Sequence, residues 1–314
     1  MAHALDVCVL GRIGYDLYAL EHGRPLGEVE SFTRRLGGSS ANIAVGLARL
    51  GLRVGMVSAV GDNLLADYLL GFLEKEGVST ELVRRVPGFS TSLCLTEVAP
   101  PSGFRQVFYR DRPADTQLEV RERELALVRG ARLFVTNGTS LCASPSREAT
   151  TRALSAAREA GVRTAFDIDY RASSWPSAAA AGAAARAVLP MVDLAIGNEE
   201  EVALVAGTTD AAEQVRAFVR AGVGLLVRKR GDEGVEAFSS EASAKARPIP
   251  VEVSTTIGAG DGFASGFLAA HLEGRPLDDC LRRGNAAAAV VVSRVSCSDA
   301  MPYPHEVEAM LARA

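Results

Sequence analysis

No two cysteines in this 314-residue chain stand in a C-x-x-C spacing. Cys8, Cys94, Cys142, Cys280 and Cys297 are scattered and odd in number. That excludes a zinc ribbon and a disulfide framework and leaves reduced, buried thiols as the expectation. The histidines His3, His22, His271 and His305 show no ligand spacing either. A G-x-x-x-x-G-K-[ST] loop is missing, no G-x-G-x-x-G opens a helix after the first apolar run, and no G-x-S-x-G elbow occurs, so hydrolase chemistry has no support. A basic excess is missing too: the formal net charge is −4, the wrong sign for a general binder of nucleic acid. Long apolar runs are absent. The most apolar window, Ala178 to Ile196, is broken by Arg186, Pro190 and Asp193 and falls short of the ~20 residues that span a bilayer. The opening Met1–Asp6 has no basic segment followed by an apolar stretch, so it does not read as a signal peptide, and a cytoplasmic location with no membrane partner is expected.

What is present is an ordinary globular mixture, 48% hydrophobic and 23% charged, enough for one large domain over 1–314 with an appendage. Short β-branched runs recur: Val7–Leu10, Val54–Val60, Leu133–Thr136, Thr164–Ile168, Leu194–Gly197 and Leu225–Arg228. Unbroken runs of this length suit strands covered on both faces. Between them, Ala41–Leu50, Leu64–Glu76, Ser146–Ala160, Ala211–Ala221 and Cys280–Ser293 carry apolar residues near a 3.6 period and predict helices. The alternation predicts an α/β chain with a mostly parallel sheet. The alanine-rich Ser177–Ala187 stretch reads as a surface helix. Two stretches break the rhythm, 13–36 and 91–112. The second is hairpin-like around Pro100-Pro101-Ser102-Gly103, and either a flap over a site or an ordinary edge hairpin accounts for it.

The most informative segment is Ile257-Gly258-Ala259-Gly260-Asp261-Gly262-Phe263, between a strand-like Pro250–Ser254 and a helix-like Phe263–Ala270. Small residues here let backbone N–H groups and a helix N-terminus approach an anion. A carboxylate beside such a loop repels its ligand, so Asp261 either takes a proton or merely caps the helix. Gly37-Gly38-Ser39-Ser40-Ala41-Asn42 also runs directly into a helix, and Asn42 offers a donor and an acceptor to a polyol, unless the segment is only a helix start. Polar residues follow the other strands: Asp16, Arg171, Asn198 with Glu199, Glu200 and Glu201, and Lys229-Arg230-Gly231. Singly each is a cap or a solvated loop, but jointly they stand where a parallel sheet binds small molecules.

With these residues in order, Gly37–Asn42, then Asn198-Glu199-Glu200-Glu201 as N-x-x-E, then Gly258-Ala259-Gly260-Asp261, the chain resembles the ribokinase-like (PfkB) carbohydrate kinases over nearly its whole length. The resemblance implies a three-layer α/β/α fold with a mostly parallel central sheet and a small β-sheet lid formed by about 13–36 and 91–112. It implies ATP and Mg2+ as cofactors, Asp261 as base, and Gly258, Ala259 and Gly260 as an anion hole. Asn198 and Glu201 would place the magnesium, Glu201 through water, with Lys229, Gly231 and Asn285 along the nucleotide and Asp16, Gly38 and Asn42 on the sugar. A homodimer through the lid is also implied.

Gly11–Tyr18, Phe108-Tyr109-Arg110, Phe166–Arg171 and Val292–Arg294 are similar to the part of the family that acts on keto-deoxy acid sugars. That implies transfer to the 6-hydroxyl of 5-dehydro-2-deoxy-D-gluconate, with 2-keto-3-deoxygluconate or a fructose-like sugar as alternatives and a non-catalytic sensor as the other class. A carboxylate favours the fork of an arginine, so Arg110 is the first candidate and Arg171 the second, with Phe108 packing on the sugar. Two departures stand out. Thr255 replaces the aspartate that usually opens the last motif, which puts K+ dependence in question, and Gly262 replaces a usual alanine or serine and is expected to loosen the helix start.

Overall fold

The computed structural model describes residues 5–99 and 104–313. Thirteen strands are found among them. They are β1 (Val7–Leu10), β2 (Gly14–Ala19), β3 (Phe32–Gly37), β4 (Val54–Gly61), β5 (Val78–Val86), β6 (Ser92–Thr96), β7 (Gln106–Tyr109), β8 (Leu133–Asn137), β9 (Arg163–Asp167), β10 (Leu194–Asn198), β11 (Leu225–Lys229), β12 (Val235–Phe238) and β13 (Ser243–Ala246). Nine form one sheet in the order β13-β12-β11-β10-β9-β8-β1-β4-β5. It is parallel from β5 to β11, and the last two strands join antiparallel. From β1 the chain builds outward through β4 and β5, then returns to β8 on the other side of β1 and builds the opposite way. Such a reversal opens a crevice at the C-terminal strand ends.

Ten helices complete the described elements: α1 (Ser39–Arg49), α2 (Leu64–Lys75), α3 (Glu122–Gly130), α4 (Ser146–Glu159), α5 (Ala178–Val188), α6 (Glu199–Ala206), α7 (Ala211–Arg220), α8 (Ala259–Leu272), α9 (Leu277–Val292) and α10 (Pro304–Leu311). Side-chain caps fix several starts, with Asn63, Ser177 and Asp210 each accepting a backbone N–H from three residues on. Along β1, Val7 and Val9 pack with α1, α2 and α8, while Cys8 and Leu10 pack with α3, α4 and α5. Period-2 alternation in a strand that is apolar on both faces thus yields two cores and three layers.

The central strands and helices fall where the apolar runs predict. The structure departs in three places. Pro250–Ser254 is not a strand: Pro248 and Pro250 remove ladder donors, and Ser254 and Thr255 instead donate to the Val292 carbonyl. The alanine-rich helix α5 is not wholly superficial, since Ala181, Ala185 and Val188 are buried. At 198–201 the cap reading holds and the solvated-loop one does not: Asn198 caps α6, a helix that no apolar period predicted, and Glu199-Glu200-Glu201 form its first turn.

The second sheet has four strands in the order β3-β2-β6-β7, with β2 and β6 parallel and the outer pairs antiparallel. It is built from the two stretches that break the β-α rhythm. The expected turn at Pro100–Gly103 lies outside the described residues.

Candidate active site

The first turn of α8 sets the centre. Gly258 precedes it in the left-handed region, φ 81°, and a Cβ there would also come within 3.0 Å of the Cys297 Cβ. Three residues on, Asp261 is 8% exposed. Its carboxylate accepts the Ser39 hydroxyl at 2.8 Å and the Asn42 amide at 2.7 Å. Both donors lie in the first turn of α1, so the two glycine motifs, more than two hundred residues apart, meet at one carboxylate. Burial raises the Asp261 pKa and the nearby Asp169 charge adds to it, while the bonds from Asn42 and Ser39 act against the shift.

In front of this turn lies a cleft of about 540 Å3. Gly258, Ala259, Gly260, Asp261, Arg171, Asn198, Glu201, Lys229, Gly231 and Asn285 all line it, and Gln106 closes it from the small sheet. The strand ends explain the assembly. Consecutive side chains of β11 alternate: Arg228 turns into the core to Glu236 and Gln214, and Lys229 turns into the cleft, 3.8 Å from Asp167. The Lys229 ammonium also reaches the glycine loop, since a Cβ on Gly260 would lie 3.0 Å from it. Burial would lower its pKa, but Asp167 and Glu201 carry it upward, so Lys229 stays charged.

Asn198 and Glu201 form a capping box at α6. The Asn198 side chain accepts the Glu201 N–H at 2.8 Å, and Glu201 accepts the Asn198 N–H at 2.7 Å and the Tyr170 N–H at 3.1 Å. The same bonds that start the helix hold the Glu201 carboxylate in the cleft wall. Asn285 donates to the Arg247 carbonyl at 2.7 Å and lines both this cleft and a neighbouring one of about 710 Å3 bounded by Lys245, Arg247 and Arg282.

Sequence reasoning gave no role to Asp167 and Asp169. Asp169 has φ 35°, accepts Asn137 at 3.2 Å and pairs with Arg171 at 3.1 Å, which raises the Arg171 pKa. Burial pushes Asp167 upward, with Lys229 opposing. The signal was two carboxylates flanking Ile168 at a strand end; aspartate is among the residues that tolerate the positive φ the second adopts. Among the described residues that line the cleft, the carboxylates of Asp167, Asp169, Glu201 and Asp261 thus face two cations, Lys229 and Arg171. Among the described residues no three such groups converge to ligate a metal ion by themselves. A divalent cation fits the excess of carboxylates only with oxygens from a phosphate or water completing its shell.

The other expected residues, Asp16, Gly38, Asn42, Phe108 and Arg110, do not line this cleft. Asp16 pairs with Cys94 across β2 and β6, and Cys94 with Phe108 across β6 and β7, so the three share one face of the small sheet. Burial pushes the Asp16 carboxyl up to about 6, opposed mainly by the Arg12 charge. Gly37 leaves room for this carboxylate, and Gly38, φ 93°, begins α1. Arg110 follows β7 and its fork is engaged: it donates to Asp115 at 2.7 and 3.2 Å and to Ser92 at 2.9 Å. Thr255 holds the loop by accepting the Ile257 N–H at 3.1 Å. Gly262 lies within α8, facing α9. A Cβ there would meet Val291 at 2.7 Å, so the close packing of α9 calls for glycine.

The fold is that of a carbohydrate kinase, and the pfkB family carbohydrate kinase model matches residues 4–304. The chain belongs to that family. Within it, the chain is similar to the 5-dehydro-2-deoxygluconokinase of Shouchella clausii (strain KSM-K16), 37% identical over 311 residues, covering 98% of this chain and 95% of that protein. The 5-dehydro-2-deoxygluconokinase of Bacillus subtilis (strain 168) is 33% identical over 312 residues, 98% of this chain and 96% of that one. The crystal structure of a PfkB protein from Polaromonas sp. JS666 superposes with a TM-score of 0.87 at 27% identity, covering 98% of this chain and all of the other.

Proposed function

We propose that this carbohydrate kinase transfers the γ-phosphoryl group of ATP to the 6-hydroxyl of 5-dehydro-2-deoxy-D-gluconate. The observation that carries the reaction is Asp261, a buried carboxylate held by Ser39 and Asn42 at the N-terminus of α8, beside a loop of backbone N–H groups and the Lys229 ammonium. The substrate is supported by relatives of that name at near-full coverage.

Asp261 accepts the hydroxyl proton as that oxygen bonds to the γ-phosphorus and the bond to the β–γ bridging oxygen breaks, leaving ADP and the sugar 6-phosphate. Its raised pKa makes it a better base than an ordinary carboxylate. The N–H groups of Gly258, Ala259 and Gly260 and the Lys229 ammonium meet charge on the transferred group. Asn198, Glu201 and the carboxylates of Asp167 and Asp169 would hold Mg2+ through water and phosphate oxygens, and the ion would neutralise phosphate charge there. Gly231 and Asn285 extend the nucleotide side towards the neighbouring cleft. Asp16, Gly38 and Asn42 flank the sugar on the other side with Phe108, while Arg110 and Arg171, the arginines expected at its acid end, are already paired with Asp115 and Asp169.

The test is ADP release with Mg-ATP across 5-dehydro-2-deoxygluconate, 2-keto-3-deoxygluconate, fructose, ribose and adenosine. The first is expected to lead in kcat/KM. Preference for another sugar removes the substrate assignment and keeps the kinase. Asp261→Asn is expected to lower kcat by about 10²–10⁴ with ATP still bound. Asn42 tolerates the change, because its Oδ1 is buried without a partner and can turn to accept from the new amide.

A further inference from the structure

Arg12, two residues past the end of β1, is 9% exposed, and its Nε is buried with no hydrogen-bond partner. Two arginines are buried among the described residues, Arg12 and Arg228. Arg228 bonds Glu236 and Gln214, whereas the Arg12 guanidinium has neither a hydrogen bond nor an ion pair within the described residues. Arginine keeps its charge in any protein environment, so a fold that buries its Nε without an acceptor bears a penalty, and a guanidinium with no acceptor in the protein is free to take an incoming anion.

The surroundings say where that anion lies. The Arg12 guanidinium stands 5.9 Å from the centre of the Phe108 ring, and its charge is felt at Asp16 and Cys94. Phe108, Cys94 and Asp16 form the inner row of the small sheet. Arg12 therefore faces the inner row of the small sheet, next to Asp16. The other two cations are spent: the Arg110 fork is closed on Asp115, and Arg171 is paired with Asp169 among the cleft carboxylates.

We propose that Arg12 is the residue that binds the carboxylate of an acid sugar and thereby sets the preference for acid over neutral sugars. The proposal rests on the kinase reading above. A carboxylate accepts two parallel N–H bonds from one guanidinium, a fit that a neutral sugar cannot supply, so the neutral analogue leaves the cation unpaired.

The experiment compares wild type, Arg12→Gln and Arg12→Lys by steady-state kinetics on 5-dehydro-2-deoxygluconate and on fructose. In parallel, calorimetric titration uses D-gluconate and its neutral counterpart D-glucitol in the presence of Mg-ADP. Arg12→Gln is expected to raise KM for the acid sugar by about 100-fold, the range for a lost charged hydrogen-bond pair, with a smaller change in kcat and none in the fructose kcat/KM. Gluconate binding is expected to weaken with it and glucitol binding to stay. Arg12→Lys, which keeps the charge without the fork, recovers part of the loss and serves where the glutamine variant does not fold. Equal losses on acid and neutral ligands, or an unchanged acid-to-neutral ratio, overturn the assignment. Should no sugar be phosphorylated by wild type, the kinase reading fails, while the gluconate titration still decides Arg12.

Discussion

Asp16 is held where its charged form is disfavoured, and that has a consequence for stability that differs in sign from most aspartates. Its ordinary value of 3.8 is pushed up to about 6 by burial, with Arg12 offsetting only part. A group whose folded pKa is raised contributes its stability below the unfolded value and loses it as pH rises through the folded one. Unliganded protein is therefore expected to lose on the order of 3 kcal/mol from this group between pH 4 and pH 7, at about 1.4 kcal/mol for each tenfold change in its acid dissociation constant. Asp6 runs the other way: bonds from Arg53 hold it at about 2, so its contribution is lost only as pH falls towards that value. Urea denaturation of wild type and Asp16→Asn across pH 4–8 separates the two, since Asp6 is common to both. The variant is expected to match wild type near pH 4 and to exceed it at pH 7. Parallel curves would show that Asp16 is not strained by ionisation.

Helices α8 and α9 do for the catalytic turn what Ser39 and Asn42 do for the carboxylate: they fix its position. A Cβ on Gly266 would meet the Arg283 carbonyl and the Ala287 Cβ, each at 2.7 Å, and neither can swing aside as a flexible side-chain tip would. Gly266→Ala is expected to destabilise by about 1–3 kcal/mol through overpacking, although alanine is the better helix former. Because α8 begins at Asp261's own turn, kcat is expected to fall as well; a urea midpoint equal to or above wild type would show that the interface yields. This spacing was not legible beforehand, for glycine inside a helical pattern reads as weakness until the partner helix is known. The central strands and the two glycine motifs were legible because each is a local pattern of apolar runs and small residues. Helix α6 was not, since it is short and opens on three glutamates that resemble a solvated loop, although acidic first turns are what a helix dipole favours. Nor was the fate of the arginines. Asp115 closes the fork of Arg110 and nothing closes that of Arg12, and such non-local pairings leave no trace in spacing.

At the scale of the whole molecule, the chain crosses between its two sheets four times, from β1 to β2, from β3 to α1, from β5 to β6, and from β7 back towards α3. Two crossings carry site residues, Arg12 on the first and Gly38 on the second, and the last is clamped by the Arg110–Asp115 pair, of which both members are largely buried. The large sheet presents phosphate-binding groups at its strand ends, and the small sheet presents Asp16, Cys94 and Phe108 on its inner row. A sugar lying between them touches both, so ligand binding should add to the contacts that already seat the small sheet on the large body, such as Tyr15 and Arg34 against Tyr68 and the Ser298 hydroxyl on the Leu36 carbonyl. Amide hydrogen exchange reads this directly, since a segment tied down by ligand opens less often. With saturating acid sugar and a non-hydrolysable ATP analogue, exchange in β2, β3, β6 and β7 is expected to slow by about tenfold or more, while β8 and β9, already buried between helices, change little. Nucleotide analogue alone should protect the start of α8 and leave the small sheet as it was. Equal protection of both sheets by nucleotide alone, or none in the small sheet with both ligands present, would mean that the small sheet is a fixed wall and not a cover that closes on the sugar.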